Sequence, residues 1–154
     1  MLFRSNATIT EAKDAPSRAR KLVQSGTIIY STVRPYLKNI AKITAKSNYE
    51  LIASTAFAVL HPYQTVYGDF LFYYLRSDLL NESIEKRMKG VAYPAINNKD
   101  FYNLIFPLPP LNEQQRIVEK LDQLMEFCDQ LETKIKQRTQ VSGELTDSLV
   151  AAVA

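Results

Sequence analysis

Apolar residues recur down the last third of the chain at alternating steps of four and three: Ile117, Leu121, Leu124, Cys128, Leu131 and Ile135. That is the spacing of a heptad seam. It falters at Arg138 and Ser142, beside Gly143, and resumes with Leu145 and Leu149. The block Pro107-Leu108-Pro109-Pro110 blocks helix immediately before Asn112. Asn112 can then cap, Gln115 stands three residues on as in a capping box, and Glu113 suits the positive helix end. The pattern predicts one helix over 113–149, on the order of 55 Å long at ~1.5 Å per residue. Nothing else in the chain carries a matching seam. A partner helix therefore covers it more readily than a fold back onto its own domain.

Ahead of the proline block the periods are shorter. Thr27–Val33 is β-branched and aromatic and reads as a buried strand, closed by Arg34-Pro35. Asn39–Thr44 and Thr55–Leu60 read as two more strands, the latter ended by His61-Pro62. Asp69 is a plausible cap for a helix over Phe70–Arg76. Asp78 could cap the next, in which Leu80, Ile84 and Met88 share a face and Gly90 supplies the stop. Residues 91–98 read as a loop. Asp100–Phe106 fits a short helix or a strand equally well. Residues 1–22 show no clear period. The expected fold class is α+β: a small mixed domain over residues 1–106, then a proline linker and long helix over 107–154.

Charge divides the chain at the same place. Residues 1–110 hold 14 Lys and Arg against 8 Asp and Glu, a net +6, whereas residues 111–154 hold 5 against 8, a net −3. The front half is the one that attracts polyanions. Hydrophobic content of 46% with 23% charged residues is that of a folded chain. No run resembles a membrane span or a signal peptide, and one cysteine excludes an internal disulfide, so a reducing cytoplasm is the expected setting.

Catalytic chemistry is hard to place. One histidine, His61, and one cysteine, Cys128, do not compose a usual zinc site. Cys128 on the seam reads as a small core residue and His61 as a strand-end residue. Four glycines leave no phosphate-cradling loop. Glu82 and Glu85 lie beside Lys86 and Arg87 and suit surface ion pairs better than a metal centre. No enzyme, cofactor or metal is expected.

Three stretches resemble one known family. Pro109-Pro110-Leu111-Asn112-Glu113-Gln114-Gln115-Arg116-Ile117, with Leu121-Asp122, is similar to the start of the spacer helix in specificity (S) subunits of type I restriction-modification enzymes. Ser31–Asn39 (Ser-Thr-Val-Arg-Pro-Tyr-Leu-Lys-Asn) resembles a motif of one subclass of their target-recognition domains, and Ser54–Leu60 the strand after it. A full specificity subunit carries two recognition domains and two antiparallel spacer helices. The match here covers one of each and begins partway into the recognition domain, so the chain looks like the C-terminal part of a longer subunit.

The resemblance implies non-catalytic recognition of one half of a split double-stranded DNA site. It implies docking of methyltransferase (M) subunits on the long helix, and through them restriction (R) subunits, with S-adenosylmethionine belonging to the M subunit. A lone half is expected to form an antiparallel homodimer through Ile117, Leu121, Leu124, Cys128, Leu131, Ile135, Leu145 and Leu149. The alternative is a dimerising structural module that has lost DNA binding.

The candidate DNA contacts follow from residue chemistry. Arg34 can reach guanine and Asn39 adenine, Lys38 suits phosphate, and Tyr36 stands between them; the same stretch can instead be a structural turn with Tyr36 packed inward. Arg18, Arg20 and Lys21 form a basic cluster suited to phosphate contact or to plain solvation. Lys86, Arg87, Lys89 and Tyr93 lie on a helix end and loop that can equally be solvated surface.

Overall fold

The computed structural model describes residues 8–44 and 47–153, without the side chains of 146, 147, 149, 150, 152 and 153. The chain forms two compact units, Met1–Gln115 and Arg116–Ala154.

The first unit holds two small antiparallel sheets. In one, β1 (Ala19–Val23) pairs with β4 (Leu51–Ser54); in the other, β2 (Ile28–Ser31) lies between β3 (Ile40–Lys42) and β5 (Phe57–Leu60). The central position of β2 explains its unbroken apolar run. Ile28, Ile29 and Tyr30 are all buried, because both edges are paired and packing covers the strand. Around Ile28 and Tyr30 gather Ile40, Ala58, Leu71, Leu80, Ile84 and Phe101. The free edge of β5 is closed by a side chain: the Val59 N–H donates to the Tyr102 hydroxyl at 3.0 Å, and that hydroxyl donates to the Val59 carbonyl at 3.1 Å. An unpaired edge strand is thereby blunted.

The three expected strands are present, each shorter than its apolar run. β1 and β4 had no period to announce them. In β1 the side chain of Lys21 is half-buried while Leu22 is exposed, and in β4 Ile52 faces outward opposite Leu22. The polarity of the ribbon is the inverse of what alternation leads one to expect.

Helix α1 (Gly68–Arg76) follows a Tyr67 N-cap that makes no side-chain capping bond; Asp69 stands inside the first turn and pairs with Lys42 at 2.5 Å. This corrects the reading of Asp69 as the cap. Helix α2 (Asp78–Glu85) is capped by Ser77, whose hydroxyl accepts from the Leu80 N–H, and not by Asp78. Leu80 and Ile84 are buried on its inner face, with Met88 half-buried beyond. A short helix, α3 (Asn98–Tyr102), begins at the end of the stretch read as loop and covers the start of the undecided one, because Asn97 caps it by accepting from the Asp100 N–H at 2.7 Å.

The proline block leads into α4 (Leu111–Val153), a single helix of 43 residues and so about 65 Å long. It begins one residue before Asn112. The first N–H groups, of Glu113 and Gln114, donate to the Pro110 carbonyl, so Pro110 and not Asn112 occupies the capping position. Among the described residues no helix is long and apolar enough to cross a membrane.

Candidate nucleic-acid interface

Beyond β2 the chain turns sharply. Thr32 donates both its N–H and its hydroxyl to the Ala56 carbonyl, at 2.9 and 2.8 Å, and its own carbonyl accepts from Ile96. Val33 bridges to Ala95. Arg34 then adopts the left-handed conformation (φ 49°, ψ 55°), with its N–H donating to the Pro94 carbonyl at 2.8 Å. A 3-10 turn, Pro35–Leu37, follows, and Lys38 closes it in the left-handed region as well (φ 49°). For residues other than glycine each such conformation costs about 1–2 kcal/mol. Two basic residues thus carry backbone strain at the two ends of one turn.

The surroundings hold that turn in place. Pro35 is buried, and its carbonyl accepts from the Tyr30 hydroxyl at 3.3 Å. Burial pushes that phenol up to about 12, so it remains a donor at any physiological pH. The Asn39 carbonyl accepts from the Ser31 N–H, and Asn39 is half-buried, whereas Tyr36 is 43% exposed. Tyr36 therefore does not pack inward.

A second loop meets Arg34 from the far end of α2. Lys89 and Ala95 exchange two backbone bonds of 2.9 Å, closing residues 90–94 into a tight loop. Gly90 (φ 95°) is required there: a Cβ would stand 3.0 Å from the Tyr93 carbonyl oxygen. The loop lays the Tyr93 ring beneath the Arg34 guanidinium, 5.1 Å from Cζ to the ring centroid.

The candidate cations differ in how they are engaged. The Lys38 ammonium pairs with Asp78 at 2.5 Å, and the hydrogen bond and charge of Lys38 hold the Asp78 carboxyl below its ordinary range. Arg87 donates to the Ser83 carbonyl and Arg20 to the Ser17 carbonyl. The Lys21 ammonium donates to the Phe57 carbonyl, and burial lowers its pKa. Among the described residues Arg18, Arg34, Lys86 and Lys89 have no carboxylate partner.

The structure brings Arg34, Lys89 and Tyr93 together, with Lys86 and Arg87 at the adjoining end of α2. The other cluster lies on the β1–β4 ribbon, yet one turn serves both. Thr55 donates to the Arg18 carbonyl while the Ala56 carbonyl takes both bonds from Thr32.

Sequence reasoning gave no site role to Thr32 and Gln114, and it read Gly90 as a helix stop, whereas α2 ends at Glu85 and Gly90 shapes the loop beyond it. Gln114 is fully buried; its side chain accepts from the Tyr67 N–H at 2.7 Å and donates to the Thr65 and Pro109 carbonyls at 2.8 Å. Its position inside the Asn112–Gln115 motif was the available signal, but helix capping had claimed the whole motif.

Along the second unit the seam lies open in the isolated chain. Leu124, Leu131, Ile135 and Leu145 are 50, 42, 63 and 58% exposed, Met125 and Phe127 widen the stripe, and Cys128 is a free, exposed thiol. Ile117 and Leu121 are half-buried. Leu149 lies in α4, but its side chain falls outside the described residues. Among the described residues no cluster of His, Cys, Asp and Glu could hold a metal ion.

Comparison with known proteins gives a consistent set of relatives. A family model described as "Type I restriction modification DNA specificity domain" matches residues 5–140. The chain is 28% identical over 142 residues to the type I restriction enzyme EcoDI specificity subunit of Escherichia coli, covering 92% of this chain and 31% of that protein. It is 33% identical over 135 residues to the EcoAI specificity subunit of the same organism, covering 85% and 23%. Among solved structures, the HsdS subunit from Thermoanaerobacter tengcongensis aligns with a TM-score of 0.67 at 43% identity, covering 77% of this chain and 31% of that one. A chain from a structure of type I R-M complex assembly and conformational transition aligns at 0.74 and 37%, covering 92% and 36%. The chain thus spans about a third or less of the curated relatives' length.

Proposed function

This chain belongs to the type I restriction-modification DNA specificity family, and from that premise we propose that its first unit recognises duplex DNA by sequence, without catalysis. The observation that carries the proposal is the turn at Arg34. A strained backbone, a guanidinium with no carboxylate and an aromatic ring set beneath it form a charged point fixed in space. Base edges carry the sequence, which a fixed donor can read, and phosphate contacts set register and orientation. Arg34 and Asn39 are assigned to bases; Lys38, Lys86, Arg87, Lys89 and Arg18 to phosphates, with Tyr36 and Arg20 at the rim. Lys21, already donating to Phe57, is assigned to bracing β1 against β5. Filter binding of the full chain to random duplex across a range of salt tests this reading. Binding that weakens steeply with salt is expected, and no retention at low salt would overturn it.

The second unit is assigned to assembly. The open stripe on α4 supports an antiparallel helix pair, formed with a second copy of this chain or with the matching helix of a full specificity subunit, and supports docking of methyltransferase subunits along it. The restriction subunits join through those.

A second reading is favoured by one observation. Lys38 and Lys21 are both occupied internally, which reduces the free positive charge of the first unit. On that reading the chain is an interaction module that dimerises through α4 without binding DNA. The same filter assay separates the two.

A further inference from the structure

On the premise of duplex recognition proposed above, we infer that Arg34 reads a guanine from the major groove, and that Tyr93, held by the Gly90 turn, is the residue that positions the Arg34 guanidinium to do so. Four observations converge on this pair. The Arg34 backbone is left-handed and tied to Pro94, so its side chain leaves the turn in one direction. Its guanidinium meets no acceptor among the described residues, which leaves the whole fork of donors unspent. The ring of Tyr93 lies below at 5.1 Å and restricts the rotation that an exposed arginine normally has. Tyr93 is itself 71% exposed, so packing of the core does not account for its place.

The chemistry selects the base. A planar fork with two parallel N–H donors matches two acceptors side by side, and in the major groove guanine presents them as O6 and N7. Adenine offers N7 beside a donor and repels one arm of the fork. With Cζ over the ring face at 5.1 Å, the contact is cation–π and uses none of the N–H donors in a conventional hydrogen bond. Another arginine over a ring, Arg76, sits 5.5 Å above Phe72 one turn back on the same helix. That is an ordinary helical side-chain contact, with no strained backbone.

Ordering the arginine before binding removes part of the entropy that would otherwise be lost on contact. Tyr93 is therefore a positioning residue: its ring is needed, and its hydroxyl is not. That distinction separates it from a residue that hydrogen-bonds DNA itself.

The test is selection of sites from a random duplex library by the full chain, followed by affinity measurements on the selected site. Wild type is expected to select a fixed guanine. Replacing that guanine with 7-deazaguanine, which keeps pairing but loses N7, should weaken binding about ten-fold. Arg34→Ala and Tyr93→Ala should both lose the guanine preference, and Tyr93→Phe should keep it. Tyr93→Ala removes an exposed ring, and an unchanged circular-dichroism melt will verify its fold. Selection of the same guanine by Arg34→Ala, or indifference of wild type to 7-deazaguanine, would overturn the inference while leaving duplex recognition intact. Loss of preference in Tyr93→Phe would overturn the positioning role. Absence of any duplex binding by wild type would overturn the recognition reading and this inference together.

Discussion

Gln114 holds Tyr67: the side-chain amide oxygen of a fully buried glutamine accepts the backbone N–H of the residue that caps α1, at 2.7 Å. The same amide donates to the Thr65 and Pro109 carbonyls, so one side chain joins the loop before α1 to the proline block before α4. Three backbone groups depend on it, those of Tyr67 and Pro109 half-buried and that of Thr65 exposed. Gln114→Ala should destabilise the first unit by about 1–3 kcal/mol, since the half-buried Tyr67 N–H and Pro109 carbonyl lose their partner and a buried side chain is truncated. Gln114→Glu should fare no better, because it keeps an acceptor for Tyr67 but loses both donors and buries a charge. Urea melts of the full chain measure both. A glutamate variant as stable as wild type would show that the two donated bonds contribute little.

The Lys38–Asp78 pair governs how much charge the turn offers to DNA. Asp78→Asn frees the Lys38 ammonium for a phosphate, so binding to random duplex should tighten two- to five-fold at moderate salt, with a salt slope steeper by about one. Identical slopes for the two proteins would leave Lys38 without a phosphate. The pH dependence runs the same way. The Asp78 carboxyl is depressed below 3.8, so the pair contributes above that value and is lost as pH falls through the folded pKa. Because Asp78 is exposed, the stability change should be lost in the noise of a pH-dependent melt.

Gly90→Ala forces a Cβ against the Tyr93 carbonyl and a side chain into φ 95°. A loss of about 1 kcal/mol or more is expected, and with it the contact between Tyr93 and Arg34. Gly143 in α4 has open space around its missing Cβ. Gly143→Ala should therefore stabilise the helix by roughly 1 kcal/mol. Thermal melts of the two variants should move in opposite directions.

What the sequence discloses depends on whether a signal is local. The helix α4 was legible because a proline block and a heptad spacing both lie within a few residues of one another, and β2 because a central strand is apolar on both faces. The ribbon of β1 and β4 was not, because Leu22 and Ile52 face outward and Lys21 turns in to reach Phe57, thirty-six residues away. Caps were misassigned for a similar reason. Asp69 has the composition of a cap, but its partner is Lys42, which no local pattern identifies. The turn around Arg34 was visible as a motif; its ring partner Tyr93 and its left-handed backbone became visible only with the topology that brings the two loops together.

The seam on α4 is the feature on which assembly depends. Leucines at 124 and 131 and Ile135 stand 42–63% open to water over several turns, which an isolated chain tolerates poorly. Cys128 lies on the same stripe, exposed and free in the single chain. Pairing should protect it, so thiol labelling should slow as protein concentration rises through the dimer's dissociation constant. Labelling at a rate independent of concentration would put Cys128 outside the interface.

Light scattering on the full chain as it leaves a sizing column at micromolar concentration tests the assembly most directly. The account predicts a mass of twice the 17.6 kDa chain for wild type and a single-chain mass for Leu124→Asp, with the first unit still folded in both. A wild-type monomer indistinguishable from Leu124→Asp would contradict it.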